Sequence, residues 1–160
     1  MTCVPVSRFR TLAAGLVAVF ALAGAARAQT TFGLHVARAT DSFGGVNGVG
    51  GSIELNVPVL PVNVFFAGEY FFPDCDECSF WGGSADLHFA LPIPVVTPYG
   101  TAGLVMRGTH ASDTTVRTGG LGLGAGVHLG MLALGVYAEG RYELMDGSDD
   151  QAVFRLGLRF

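Results

Sequence analysis

The sequence predicts an all-β fold: an eight-stranded antiparallel up-and-down transmembrane β-barrel, preceded by a cleavable signal peptide. Three observations predict it. Half of the 160 residues are hydrophobic and the mean hydropathy is +0.47, high for a soluble domain. Beyond the N-terminal region, no apolar run reaches the roughly 18 residues that a membrane-spanning helix needs. Instead, eight segments alternate apolar with polar or small residues at a period of two, each about 9–11 residues long, the length of a tilted membrane-crossing strand. Such strands show lipid only every second side chain, so a chain can be strongly hydrophobic without any continuous apolar segment.

The first element is the leader. Arg8 and Arg10 form a basic region, the stretch from Leu12 to Ala25 is apolar, and Ala26-Arg27-Ala28 is a small-residue cleavage site. Residues 1–28 are therefore predicted to be a signal peptide, and residues 29–160 the barrel domain. A lipoprotein reading fails because Cys3 precedes the apolar stretch instead of closing it. The chain has no lysine, and three of its nine arginines lie in the leader. The remainder carries 6 − 13 = −7 charges, which argues against a nucleic-acid partner.

The first strand is predicted at about Thr30–Ala39, with Phe32, Leu34 and Val36 outward and Gly33, His35 and Ala37 inward. After a loop over Thr40–Asn47, the second (about Gly48–Val57) sends Val49, Ile53 and Leu55 outward and Ser52, Glu54 and Asn56 inward. Pro58 and Pro61 mark a turn, because proline lacks an N–H for the ladder. The third strand (about Val62–Phe72) alternates Val64, Phe66, Tyr70 and Phe72 with Asn63, Phe65, Ala67 and Glu69. The fourth (about Phe80–Leu91) alternates Trp81, Ala85, Leu87 and Phe89 with Ser84, Asp86 and His88.

Pro92, Pro94 and Pro98 bracket the next turn. The fifth strand (about Tyr99–Gly108) is the hardest to phase; Leu104 and Met106 are placed outward, with Tyr99, Thr101 and Arg107 inside. A loop over Thr109–Thr118 leads to the sixth strand (about Gly119–Leu129). There Leu121, Leu123, Ala125 and Val127 alternate with Gly120, Gly122, Gly124 and Gly126, then His128. The seventh (about Ala133–Leu144) sends Tyr137, Glu139, Arg141 and Glu143 inward, and Met145–Gln151 is the last loop.

The terminal stretch AVFRLGLRF puts Phe154, Leu156, Leu158 and Phe160 on one face, and Val153, Arg155, Gly157 and Arg159 on the other. A half-buried strand of a soluble protein could alternate in this way too. An arginine on the lipid face at mid-bilayer costs about 2–4 kcal/mol, however, whereas one in the lumen can be solvated or paired. The stretch resembles the C-terminal assembly signal of bacterial outer-membrane barrels, carried here by Phe154, Leu156, Gly157, Leu158 and Phe160. That resemblance implies recognition by the barrel-assembly machinery and insertion into the outer membrane.

Aromatic residues on the outward face fall into two girdles: Phe32, Phe89 and Phe160 toward the end with the termini; Tyr70, Phe72, Trp81, Tyr142 and Phe154 toward the other. As a whole, the segment after the leader resembles the small eight-stranded OmpA/OmpX-like outer-membrane barrels. The resemblance implies short periplasmic turns, longer surface loops, lipid and lipopolysaccharide as neighbours, and a monomer with no cofactor.

The phasing sends five acids (Glu54, Glu69, Asp86, Glu139 and Glu143) and four arginines (Arg107, Arg141, Arg155 and Arg159) into one narrow tube. Mutual pairing and a plugged lumen are expected. The last hairpin is expected to bring Arg141 near Arg155, compensated by Glu139 and Glu143. The strand-six glycines leave two outcomes open: a narrow water channel, or room for Tyr137 and Phe65.

Cys75 and Cys78, in PDCDECSF, have no second C-x-x-C for zinc; an oxidising envelope favours a local disulfide. Acidic loop residues (Asp41; Asp74, Asp76, Glu77; Asp113; Asp146, Asp149, Asp150) read as a solvated rim or as divalent-cation bridges to lipopolysaccharide phosphates. His110, Ser112 and Asp113 have the residue types for a lipid A-modifying enzyme, but with four threonines beside them the stretch has the usual composition of a solvated loop. The expected role is a structural or surface-interaction protein with an unidentified extracellular ligand, not an enzyme. A lipid A-modifying enzyme and a narrow passive pore are the alternatives.

Overall fold

The computed structural model describes residues 30–41, 44–56, 62–74, 78–91, 93, 95–111, 114–131 and 134–160. The predicted signal peptide lies outside them. Eight strands follow in order: β1 (Thr30–Asp41), β2 (Gly44–Asn56), β3 (Val62–Phe71), β4 (Cys78–Ala90), β5 (Val96–Ala111), β6 (Thr114–Met131), β7 (Leu134–Met145) and β8 (Gln151–Arg159). Each pairs antiparallel with the next, and β1 pairs with β8, so the sheet closes on itself. Phe160 seals the seam by exchanging backbone hydrogen bonds with Phe32, at 2.9 and 3.0 Å. Closure pairs every strand edge within the chain, which a structure immersed in hydrocarbon requires.

The two-residue period decides which side chains enter the barrel. In β5, Leu104 and Met106 are 64% and 48% exposed, whereas Tyr99, Thr101 and Arg107 are buried, so the hardest strand has the expected phase. The outward face is a continuous apolar surface from Phe32, Leu34 and Val36 on β1 to Phe154, Leu156 and Leu158 on β8. Water would leave that surface unsatisfied; a bilayer's hydrocarbon matches it.

Thr30 and Phe160 lie at one end, the near end; the hairpins β1–β2, β3–β4, β5–β6 and β7–β8 turn at the other, the far end. Two expected far-end loops prove to be mostly strand. Asp41 pairs with Gly44 and Ala111 with Thr114, so Thr40–Asn47 and Thr109–Thr118 are largely absorbed into the ladders. The reason is composition: threonine is a strand former, and its polarity marks an end above the membrane, not an end of pairing. About 9–11 tilted residues suffice to cross the hydrocarbon. β6 has 18, and the surplus carries Thr114–Arg117, exposed on both faces. Pro98 likewise falls inside β5, opposite Val127, where its carbonyl accepts from Leu91 N at 2.9 Å. Gln151 is the first residue of β8 instead of the last of a loop.

Candidate functional site

The chemistry of this chain is concentrated inside the barrel, in three layers. The far-end layer is apolar. Ala37, Ala39, Phe71 and Val153 are buried together, with Val46 and Phe80 packed against them. The Phe71 and Phe80 rings lie 4.8 Å apart, and the Arg107 guanidinium sits 5.4 Å from the Phe71 ring centre. Parity carries Phe71 and Phe80 inward, one step from their outward neighbours Phe72 and Trp81.

The middle layer is a connected charge network. Arg107 donates from Nη1 to Glu69 Oε2 at 2.7 Å, and from Nε and Nη2 to the two Glu143 oxygens at 2.9 and 2.5 Å. Arg155 donates to Glu69 Oε1 from Nε at 2.6 Å, pairs with the same oxygen through Nη2, and reaches Glu139 Oε1 at 2.7 Å. Arg141 grips Asp86 with two bonds, at 2.9 and 3.0 Å, and approaches Glu143 Oε1 at 3.2 Å. Gln151 adds a bond to Glu143 Oε2 at 2.6 Å. The path Asp86–Arg141–Glu143–Arg107–Glu69–Arg155–Glu139 thus crosses the lumen without a break.

The near-end layer mixes rings and polar groups. His88 stacks between Phe65 (4.4 Å) and Tyr99 (4.7 Å), and its Nε2 lies 3.6 Å from Glu139. Tyr99 donates its hydroxyl to Glu139 Oε2 at 3.0 Å, and Tyr137 OH shares a 2.9 Å hydrogen bond with His35 Nδ1. Arg159 pairs with Glu54 Oε2 at 2.6 Å and lies over the Tyr137 ring at 4.7 Å. Its Nε and Nη2 have no hydrogen-bond partner, which the surrounding π faces of Tyr137, Tyr99 and Phe65 offset in part. Beyond them opens a polar vestibule of about 160 Å³, walled by Glu54, Asn56, Asn63, His88, His128 and Arg159.

All nine predicted lumen charges are buried, and the structure brings them into this interior. Their sum is 4 − 5 = −1 with neutral histidines. The expected pairing of the last hairpin needs correction. Arg155 stands directly opposite Glu139, while Arg141 faces Val153 and turns across the barrel to Asp86. The loop is shorter than supposed, since Gln151 joins β8 opposite Glu143; the register moves accordingly and separates the two arginines.

The glycines of β6 make room, but for other occupants than Tyr137 and Phe65. A Cβ on Gly122 would overlap the Arg141 guanidinium, and one on Gly126 the Tyr99 ring. Tyr137 lies instead against Gly157 of β8, and Arg107 against Gly82 of β4. Glycine on one strand opposite a long side chain on the next is the signal that would have found these pairs.

Of the assembly-signal residues, Phe154, Leu156, Leu158 and Phe160 face outward, and Gly157 faces in. Cys78 is disulfide-bonded; Cys75 lies outside the described residues. Among the acidic loop residues, Asp150 is tied down locally, accepting from Met145 N at 3.0 Å and Tyr142 OH at 3.3 Å. Asp76, Glu77, Ser112 and Asp113 lie outside the described residues. His110 is on β5, its Nδ1 2.8 Å from Thr115 Oγ1. Among the described residues, no group of three His, Cys, Asp or Glu could hold a metal ion.

No protein-family model and no curated protein sequence matches the chain. Solved structures do. The fold is similar to that of Neisserial surface protein A, with a TM-score of 0.61 and 18% identity, over 81% of this chain and 94% of that one. It is similar to the N-terminal β-barrel domain of Pseudomonas aeruginosa OprF, with a TM-score of 0.59 and 17% identity, over 84% of this chain and 100% of that domain. The outer membrane enzyme PagL also shares it, with a TM-score of 0.57 and 11% identity, over 80% of this chain and 98% of that one. These likenesses give the fold: the eight-stranded barrel seen in small outer-membrane proteins.

Proposed function

We propose that the chain is a bacterial outer-membrane barrel with a structural and surface-interaction role, and that its lumen does not conduct. The near end would face the periplasm, and the far-end hairpins would be displayed outside. One observation carries the reading: the unbroken network from Asp86 to Glu139 spans the lumen directly beneath the apolar layer of Phe71 and Phe80. An ion would have to displace carboxylates held by arginine and then cross phenyl rings. Neither step is cheap in a water-poor tube. With every strand edge paired internally, the barrel needs no second chain to complete its sheet, which favours a monomer.

A non-catalytic role is favoured because His110 is bonded to a threonine hydroxyl on an exposed two-stranded ribbon, where that contact serves the hairpin itself. Purified folded protein in planar bilayers tests the lumen. Silence is expected; large, stable, porin-like openings would overturn the reading. Assembly is tested separately by deleting Phe160, which removes two seam hydrogen bonds as well as the terminal aromatic. The expected result is slow insertion with protein held in the periplasm, and normal surface arrival would count against the assembly-signal reading.

A further inference from the structure

Six arginines lie among the described residues. Four point inward and are ion-paired: Arg107, Arg141, Arg155 and Arg159. The other two, Arg38 and Arg117, are exposed, point outward, and form no ion pair among the described residues. Both stand at the far end, in the girdle of aromatic residues. The outward face of the near end carries Phe32, Phe89, Leu158 and Phe160 and, among the described residues, no cation.

Each outward arginine has a built setting. Around the barrel at the level of Arg38, the register gives the row Phe72, Asn47, Arg38, Phe154. Arg38 Nη1 donates to Asn47 Oδ1 at 3.2 Å, a neutral partner that orients the guanidinium without cancelling its charge. One step nearer mid-membrane the same strands present Val49, Val36 and Leu156. Together these residues line an open groove of about 520 Å³, with phenyl rings at its sides and the guanidinium at its far end. Arg117 has an independent setting. It pairs in register with Gly108, itself opposite Trp81, and a Cβ on Gly108 would overlap the indole. The indole therefore lies across Gly108, with the Arg117 guanidinium 5.9 Å from its centre.

A cation above an aliphatic groove, at the depth of an aromatic girdle, matches an acidic headgroup above acyl chains. We propose that Arg38 and Arg117 are direct phosphate-binding positions for the phosphorylated lipid of the outer leaflet, lipopolysaccharide, with one acyl chain lying in the groove between Phe72 and Phe154. Guanidinium suits this because it can meet a phosphate with two parallel hydrogen bonds and needs no bridging metal. The inference rests on the outer-membrane orientation proposed above. It assigns the lipid contact to two arginines instead of to divalent cations on the acidic loops.

The test uses the folded mature barrel in neutral detergent, with lipid A as the probe and native mass spectrometry as the readout. Wild type, Arg38→Gln, Arg117→Gln and the double variant are compared, each first shown to be folded by its heat-dependent gel mobility. Each single change should weaken lipid A binding at its own site about fivefold, as expected for one cation near an anionic surface, and leave the other site unchanged. The double change should weaken both sites about fivefold each, with no further loss at either, because the sites are well separated. Arg38→Lys, which keeps the charge, should stay within about threefold of wild type. Dephosphorylated lipid A should bind wild type no better than lipid A binds the double variant, and chelator should leave wild-type binding intact. Undiminished binding by the double variant, loss of binding with chelator, or equal binding of phosphatidylglycerol would each overturn the proposal. Conductance of the same preparations is read independently, so failure of the plugged-lumen reading is distinguishable from failure of this one.

Discussion

The two ends of the lumen solve the same problem with opposite chemistry. At the far end, Phe71, Phe80, Val153 and their alanine neighbours exclude water by packing. At the near end, Asn56, Asn63, His128 and Arg159 surround a vestibule that has room for water. Between them lies the charge network, satisfied from within on its far side and open to hydration on its near side. The difference teaches where the barrier sits. A polar layer needs an apolar lid only on the side that must stay dry, and here that is the end bearing the hairpins.

The comparison breaks most severely in the middle layer, at Glu69. Its two oxygens serve both Arg107 and Arg155. Glu69→Leu would take one carboxylate from each of two buried cations, leaving Arg107 to Glu143 and Arg155 to Glu139. Breaking a buried pair costs about 3–5 kcal/mol. Urea unfolding in lipid vesicles, followed by the gel shift between folded and unfolded forms, should show that loss or a failure to fold. A decrease under about 1 kcal/mol would mean that the network is hydrated and is no barrier. Next in size is the lid. Phe71→Ala removes a fully buried ring and should cost about 3 kcal/mol, yet bilayers should stay silent because the network below is intact. Steady conductance from this variant would assign the barrier to the lid alone.

The lid and the network differ in how far the sequence revealed them. Strand parity alone assigned every inward charge, since Glu54, Glu69, Arg107 and Arg155 each interrupt an apolar alternation at a fixed phase. Parity does not say who meets whom. Arg141 reaches Asp86 three strands away, and Arg155 finds Glu69 across the tube, because a closed sheet brings non-neighbouring strands face to face. Those contacts depend on shear and on side-chain length, neither of which is a local property of the chain. Strand ends extend beyond the expected ones for a related reason: threonines near residues 109 and 118 mark the membrane boundary, while the ladder continues past it until the chain turns.

A smaller effect is expected where the fold is already closed by other means. Replacing both Cys75 and Cys78 with Ser should lower stability by less than about 1 kcal/mol, because a ring this short removes little freedom from the unfolded chain. Mass spectrometry without reductant should find the two joined in wild type; two alkylatable thiols would refute that pairing. A loss above about 2 kcal/mol would instead show that the hairpin at the far end helps hold the lid in place.

The cysteine-free background then permits the gentlest probe of the two ends. Asn56 lines the vestibule and is half-buried, whereas Ala39 lies in the lid at 4% exposure. Asn56→Cys should change stability by no more than about 0.5 kcal/mol, since neighbouring water can replace what the amide gave. In the folded barrel its thiol should react with a small water-soluble thiosulfonate at a rate near that of an exposed cysteine. Ala39→Cys adds one sulfur to a packed layer and should react only after unfolding. The two rates need not be compared in absolute terms, because heating the same samples gives the fully accessible reference for each. If both thiols react in the folded state, water passes the lid and the asymmetry of the lumen is lost. If neither reacts, the near end is sealed too, and the unpartnered nitrogens of Arg159 must be stabilised by the rings of Tyr137, Tyr99 and Phe65 without help from solvent.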